Sequence, residues 1–253
     1  MTDVDSSSRG EVQPYIRPDS EIVREMRALR GFIDEARSAR TLDPLFGYLY
    51  DAIERRTPEQ VWTEAACGPR CAWCCHTRVS ATAPEILFLA RNLPTGVTDG
   101  IPALARRRRE GWDKPLLESL APCAVLADGL CTAHPSRPIV CRTTMSLDAD
   151  QCRLACSLPD EAVIPSALAS VALRAAYEIA LQGALLNAGY CTDRFDLATA
   201  LADAVSHPDA ESAWLAGGDV FPSALRVEQD GYLDEPVRRA LYEAAFDPGV
   251  STV

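Results

Sequence analysis

The stretch IPSALASVALRAAYEIALQGALLNAG, residues 164–189, decides the fold class. It is mostly apolar, and Ser166, Ser170, Arg174, Glu178 and Gln182 recur every four residues along it, which makes one narrow polar stripe on a long helix. Such a helix is expected to be largely buried, with Gly189 just past its end as the left-handed C' residue. Around it the chain keeps the same period. Ile22, Met26, Leu29, Ile33 and Ala36 mark an amphipathic helix of about 18 residues that Asp19 or Ser20 would cap. A second helix is expected from about Asp43 to Arg55, and a short third one with Pro58 at its first helical position.

Thr82-Ala83-Pro84-Glu85 reads as a capping box, with Thr82 as N-cap and Glu85 at N3, before the apolar run Ile86 to Ala90. Further helices are expected from Thr98 or Asp99 through Arg106 to Arg109, over about 195–206, and over about 235–246 with Asp234 as cap and Asp247-Pro248-Gly249 as stop. The four-arginine run is followed by Glu110 and reads as a solvated face. Ala127-Asp128-Gly129 carries the Asp-Gly signal of a tight hairpin turn. The expected fold is mainly α, with helical, bundle-like flanks around a cysteine-rich loop and hairpin metal-binding centre. Its organisation is a flexible tail (1–18), N-terminal helices (19–65), a cysteine-cluster domain (66–160) and a C-terminal helical region (161–253).

Length and charge narrow the function. The chain has 253 residues, enough for a proper core, and 25 basic against 36 acidic residues give a net charge of -11. That balance repels nucleic acid and anionic lipid, so neither is expected as a partner. The opening MTDVDSSSRGEVQPY has no basic start followed by an apolar stretch, and Arg174, Glu178 and Gln182 interrupt the longest apolar span. A cytoplasmic protein without a membrane span is expected, and the sequence names no protein partner.

Cysteines carry the chemical signal. Nine of the ten (Cys67, Cys71, Cys74, Cys75, Cys123, Cys131, Cys141, Cys152 and Cys156) fall within one 90-residue stretch, and Cys191 lies outside it. In a reducing compartment such clustering points to metal before disulfides. In Cys67-Gly-Pro-Arg-Cys71-Ala-Trp-Cys74-Cys75-His76 the Gly-Pro pair forces a turn that lets thiolates converge. Zinc asks for about four such ligands and iron–sulfur clusters for closely spaced thiolates, so spacing leaves the metal open. In Arg137-Pro138-Ile139-Val140-Cys141-Arg142, Pro138 is expected to open a helix with Cys141 one turn in. Arg137 and Arg142 are placed to offset thiolate charge.

These two blocks together resemble the YkgJ-type cysteine-cluster family, a zinc- or iron-chelating domain, over roughly residues 64–145. The resemblance rests on the Cys67 to Cys75 cluster, the Val79 to Glu85 segment leading into a helix, and the block from Pro122-Cys123 through Cys131 to Arg137-Pro138-x-x-Cys141-Arg142. It implies metal binding by Cys67, Cys71, Cys74, Cys75, Cys123, Cys131 and Cys141. The chain departs from the family in having three residues between its first two cysteines, and in having His134 where tyrosine is common, which makes His134 a further candidate ligand.

Seven thiols exceed what one structural zinc needs, so either two ions share ligands or some thiols do something else. Cys152 and Cys156 share one face of a helical turn and either complete a second site or act as small hydrophobes. Three functions stay open: a metal-binding protein holding zinc or iron, an iron–sulfur enzyme using S-adenosylmethionine, and a redox-switched interaction module in which oxidation expels the metal and forms disulfides. The second rests on Cys67-x3-Cys71-x-Trp73-Cys74, which is similar to the loop by which radical S-adenosylmethionine enzymes hold a [4Fe-4S] cluster. Those enzymes follow that loop with alternating strands and helices, whereas this chain places helices on both sides. Cysteine clusters of the same type also occur within the larger flagellin lysine N-methylases, a methylase-like variant of the enzyme reading.

Overall fold

A computed structural model describes residues 20–112, 121–227 and 235–246. The expected tail, the caps at Asp19 and Asp234 and the stop at 247–249 lie outside the described residues. The protein is mainly helical. Its N-terminal layer is α1 (Glu21–Ala39), α2 (Asp43–Arg56) and the short α3 (Glu59–Glu64). Pro58 is the N-cap of α3, one position earlier than expected, because its extended ψ of 145° precedes the first helical residue. A single 3-10 turn, Trp73–His76, follows the first cysteines.

Strand β1 (Ser80–Thr82) runs directly into α4 (Ala83–Arg91), and α5 (Ile101–Glu110) follows. The expected capping box is present at Thr82 and Glu85. A hairpin of β2 (Leu126–Ala127) and β3 (Leu130–Cys131) turns at Asp128 and Gly129, whose φ values of 52° and 76° are the left-handed pair such a turn demands. Then come α6 (Ile139–Thr143), α7 (Ala149–Ala155) and the long α8 (Leu168–Asn187). Pro138 is the N-cap of α6, not its first residue.

After α8, β4 (Arg194–Asp196) runs into α9 (Leu197–Ser206), capped by the Asp196 carboxylate, which accepts the Thr199 N–H. Helix α10 (Ala210–Leu215), β5 (Arg226–Val227) and α11 (Glu235–Phe246) complete the described order. Sequence periodicity missed the sheet. β4 is its centre, antiparallel to β1 through Ala81 opposite Phe195 and to β5 through Phe195 opposite Arg226. Strands of two or three residues are too short for alternation to register.

Helix α8 packs along α1 and against α2 and α11. One connected core extends from Val23 to Ala245 and takes in Val125, Ala133 and Ile139 from the cysteine-bearing segment. Gly183 allows the closest approach: a Cβ there would come within 2.8 Å of both Met26 Sδ and Tyr242 Cδ1.

The polar stripe of α8 turns inward. Ser170, Glu178 and Gln182 are buried. Ser170 donates to the Thr143 carbonyl, Glu178 pairs with Arg194 at 2.8 Å, and Tyr242 donates to Gln182 at 3.4 Å. Burying the stripe leaves apolar residues outside at the helix start, where Leu168 is 81% exposed and Val171 is exposed too. The helix therefore starts four residues later than its pattern predicts. Ser166 is held in a β-bridge with Ser146, and the Pro165 carbonyl accepts the Leu147 N–H at 2.8 Å. Among the described residues no helix is long and apolar enough to cross a membrane.

Candidate metal centre

All ten cysteines are free thiols. The first four lie between α3 and β1. Gly68-Pro69-Arg70 makes the expected turn, closed by the Cys71 N–H donating to the Gly68 carbonyl at 2.9 Å, with Arg70 at a φ of 69°. The 3-10 turn then presents Cys74 and Cys75 on successive residues.

Two backbone links bring the later cysteines to this loop. The Cys123 N–H donates to the Cys75 carbonyl at 2.8 Å, which fixes the hairpin segment against the turn. The Ala66 N–H donates to the Ser146 carbonyl at 2.8 Å, and the Ser146 N–H donates to Cys67 Sγ at 3.4 Å. Helix α7 begins directly after that link, capped by Asp148, whose Oδ1 accepts the Asp150 N–H at 2.8 Å. Cys156 at its C-cap donates to the Trp73 carbonyl at 3.5 Å.

Ionisation of one of these thiols opposes that of several others. Cys67 is coupled to Cys71, Cys74 and Cys152, and Cys156 to Cys152 and Cys74. Cys75 faces Cys74, Cys123 and Cys141, while Cys141 faces Cys123, Cys74 and Cys131. Cys74 is common to both groups, coupled to Cys67 and Cys156 in one and to Cys75 and Cys141 in the other. Among the described residues, however, no three Cys, His, Asp or Glu side chains close tightly enough to hold a metal ion as they stand.

Their protonation differs sharply. The Cys75 thiol donates to Cys74, and with help from Arg137 and His76 this bond, against the cost of burial, brings Cys74 down to about 6. The same bond, with burial, holds Cys75 well above the ordinary thiol value. Burial is also the main cause that raises Cys141, Cys123, Cys67 and Cys156. Cys74 is the one of these shifted thiols that is lowered, so it is the thiolate among them at neutral pH, while Cys75, Cys141, Cys123, Cys67 and Cys156 keep their protons.

The two arginines expected to offset thiolate charge divide. Arg137 lies beside Cys74 and Cys141, and its Nε is buried with no hydrogen-bond acceptor among the described residues. Arg142 instead lies over the Tyr50 ring, 3.6 Å from its centroid, and donates to the Arg137 carbonyl at 3.1 Å and to the Pro135 carbonyl. Its planar guanidinium satisfies both the ring face and the carbonyls that end the preceding turn.

His134 is exposed, and the charges that face it are Arg137 and Arg142. Partial burial and those two guanidinium groups lower its pKa. Cys191 stands apart in the segment before β4, where its Sγ accepts the Asp193 N–H at 3.3 Å.

One residue of this region was not singled out from the sequence. Arg108, in the run read as a solvated face, is only 4% exposed and donates to the Thr77 carbonyl at 2.9 Å, with Cys123 and Asp196 among its charge neighbours. Its three companions Arg106, Arg107 and Arg109 are exposed as expected. Only the buried phase of α5, with Ile101, Ala105 and Arg108 in line, could have signalled it.

The donor set suits a thiophilic cation in kind: soft sulfur ligands, one of them already a thiolate, with a buried guanidinium Nε beside it. The sheet bears on the enzyme alternative, since every strand pairing among the described residues is antiparallel and the parallel barrel of the radical enzymes is not seen there. Compared with protein-family models, with curated proteins and with solved structures, the chain matches none.

Proposed function

We propose that this chain is a cytoplasmic metal-binding protein that holds zinc or iron through its clustered cysteines. The observation that carries the reading is that free thiols from separate segments, Cys67 and Cys75 in the first loop, Cys141 on α6 and Cys156 on α7, are each coupled to Cys74, next to the buried Nε of Arg137. A metal-free cluster of this kind is a poor use of buried surface, because each half-buried thiol forgoes packing and the ionisation of one opposes that of the next. A bound cation reverses the second effect.

Cys67, Cys71, Cys74, Cys75, Cys123, Cys131 and Cys141 would supply the ligands, in keeping with the YkgJ-type spacing. Arg137 would donate to a ligating sulfur and offset the surplus negative charge; Arg142 would act indirectly, by holding the loop before α6 through its two carbonyl bonds. The sulfurs are gathered but not closed on a point, so loading draws the 67–76 loop, the hairpin and α6 together. Thiolate zinc sites contribute about 10–16 kcal/mol of apparent binding energy in small domains, as large as the ~5–15 kcal/mol stability of a whole domain.

The test is anaerobic purification without added metal, followed by elemental analysis and an absorbance scan of one sample. Colourless protein with stoichiometric zinc, or protein with stoichiometric iron, is the expected result. A chain that carries no metal and takes up neither zinc nor iron on titration overturns the reading. Iron with acid-labile sulfide and a broad visible band would move the assignment to a [4Fe-4S] centre and to assays with S-adenosylmethionine.

A further inference from the structure

Helix α7 buries none of its residues, so apolar packing does not explain why it lies against the Trp73–His76 turn. What connects it to the rest is the Ser146 link beside Cys67, Cys156 against the Trp73 carbonyl, and Gln151 Oε1, which accepts the Val163 N–H at 3.0 Å. Its two cysteines are half-buried and one turn apart, because Cys156 keeps helical angles (φ -80°, ψ -9°) at the C-cap. Both face the Cys67 side of the thiol region. Cys67 is coupled to Cys71, Cys74 and Cys152, and Cys156, whose Sγ lies 3.5 Å from the Trp73 carbonyl, to Cys152 and Cys74. On the other side, Cys75 is tied to Cys123 through the backbone and lies beside Cys123 and Cys141, with Cys131 next to both.

We infer that the thiols form two adjacent metal sites meeting at Cys74, one of Cys67, Cys71, Cys152 and Cys156 and the other of Cys75, Cys123, Cys131 and Cys141. The inference rests on the metal-binding reading above and adds α7, which lies beyond the resemblance, as a ligand-bearing helix. Each set supplies the four sulfurs that a tetrahedral, thiophilic divalent cation such as zinc takes, and Cys74 lies between the two sets as a ninth thiol that completes neither. Binding expels the thiol protons to solvent and involves no change of oxidation state. Fixing α7 by metal accounts for a helix that packing does not hold.

Anaerobic titration of the reduced, metal-free full chain with cobalt(II) tests this. Visible d–d and sulfur-to-cobalt bands and native mass spectrometry are the readouts. The wild type should take two ions with tetrahedral thiolate spectra, and Cys152→Ser/Cys156→Ser and Cys123→Ser/Cys141→Ser should each take one. Hydrogen exchange on the wild type adds a measurement that needs no variant: amides 150–155 should slow on loading. A wild type that binds one ion, a Cys152→Ser/Cys156→Ser variant that still binds two, or α7 amides indifferent to loading overturns the division while leaving the metal-binding reading intact. A wild type that binds no cobalt, zinc or iron removes both.

Discussion

Glu85 and Ile139 join two helices through one carboxylate: Glu85 Oε1 accepts the Ile139 N–H at 2.8 Å, while Oε2 accepts the Thr82 N–H at 2.8 Å and hydroxyl at 2.7 Å. The capping box of α4 thereby also caps α6, the helix that carries Cys141. A local motif positions a ligand candidate that is distant in sequence.

Glu85→Gln should therefore destabilise the protein by about 2 kcal/mol, since one amide hydrogen must then face a backbone N–H that has lost its acceptor in a buried place. Denaturant unfolding reads the change. Weaker cobalt binding is expected alongside it, because α6 loses its anchor.

Cys74 should be the thiol that alkylates first in the metal-free protein. Its reactivity with iodoacetamide is expected to rise with pH through a midpoint near 6. Cys75→Ala removes the donated hydrogen bond and should move that midpoint up toward the ordinary thiol value of 9.0. A midpoint that does not move would show that Cys75 does not set it. Mass spectrometry after limited labelling identifies the site.

Arg137 and Arg142, so close in sequence, should fail differently. Arg142→Ala loses the stacking on Tyr50 and should cost about 1 kcal/mol of stability, and a double-mutant cycle with Tyr50→Leu measures the coupling. Arg137→Ala should instead weaken metal binding and raise the Cys74 midpoint.

His134 supplies a pH dependence. Its folded pKa lies below the ordinary 6.5, so the unfolded chain takes up this proton first. The associated stability is full above the unfolded value and is lost as pH falls toward the folded one. His134→Asn should flatten that part of the stability profile. In the NMR spectrum the imidazole should titrate below 6.5 with or without metal; an imidazole that stops titrating on loading would make His134 a ligand.

Gly183→Ala should destabilise although alanine is the better helix former by about 1 kcal/mol. The new methyl would meet Met26 and Tyr242 at 2.8 Å, and overpacking of this kind costs about 1–3 kcal/mol. Thermal unfolding decides the sign.

The sequence by itself determined what short-range physics determines. The helical periods of α1, α2 and α8, the capping box at Thr82 and Glu85, the Asp128-Gly129 hairpin and the Gly189 turn are each written within a few residues of where they occur. The clustering of nine cysteines in one stretch was equally plain. Tertiary structure alone decided the rest, because a side chain carries no record of what will lie opposite it. The stripe on α8 has the same spacing whether it meets water or meets Thr143 and Arg194. Arg108 is one guanidinium among four until α5 docks and buries it. β1 and β4 become strands only by pairing Ala81 with Phe195 across the chain. Which thiols become neighbours follows from the same long-range contacts: Cys123 against Cys75 and Cys156 against Trp73 are made by backbone groups that no spacing rule connects.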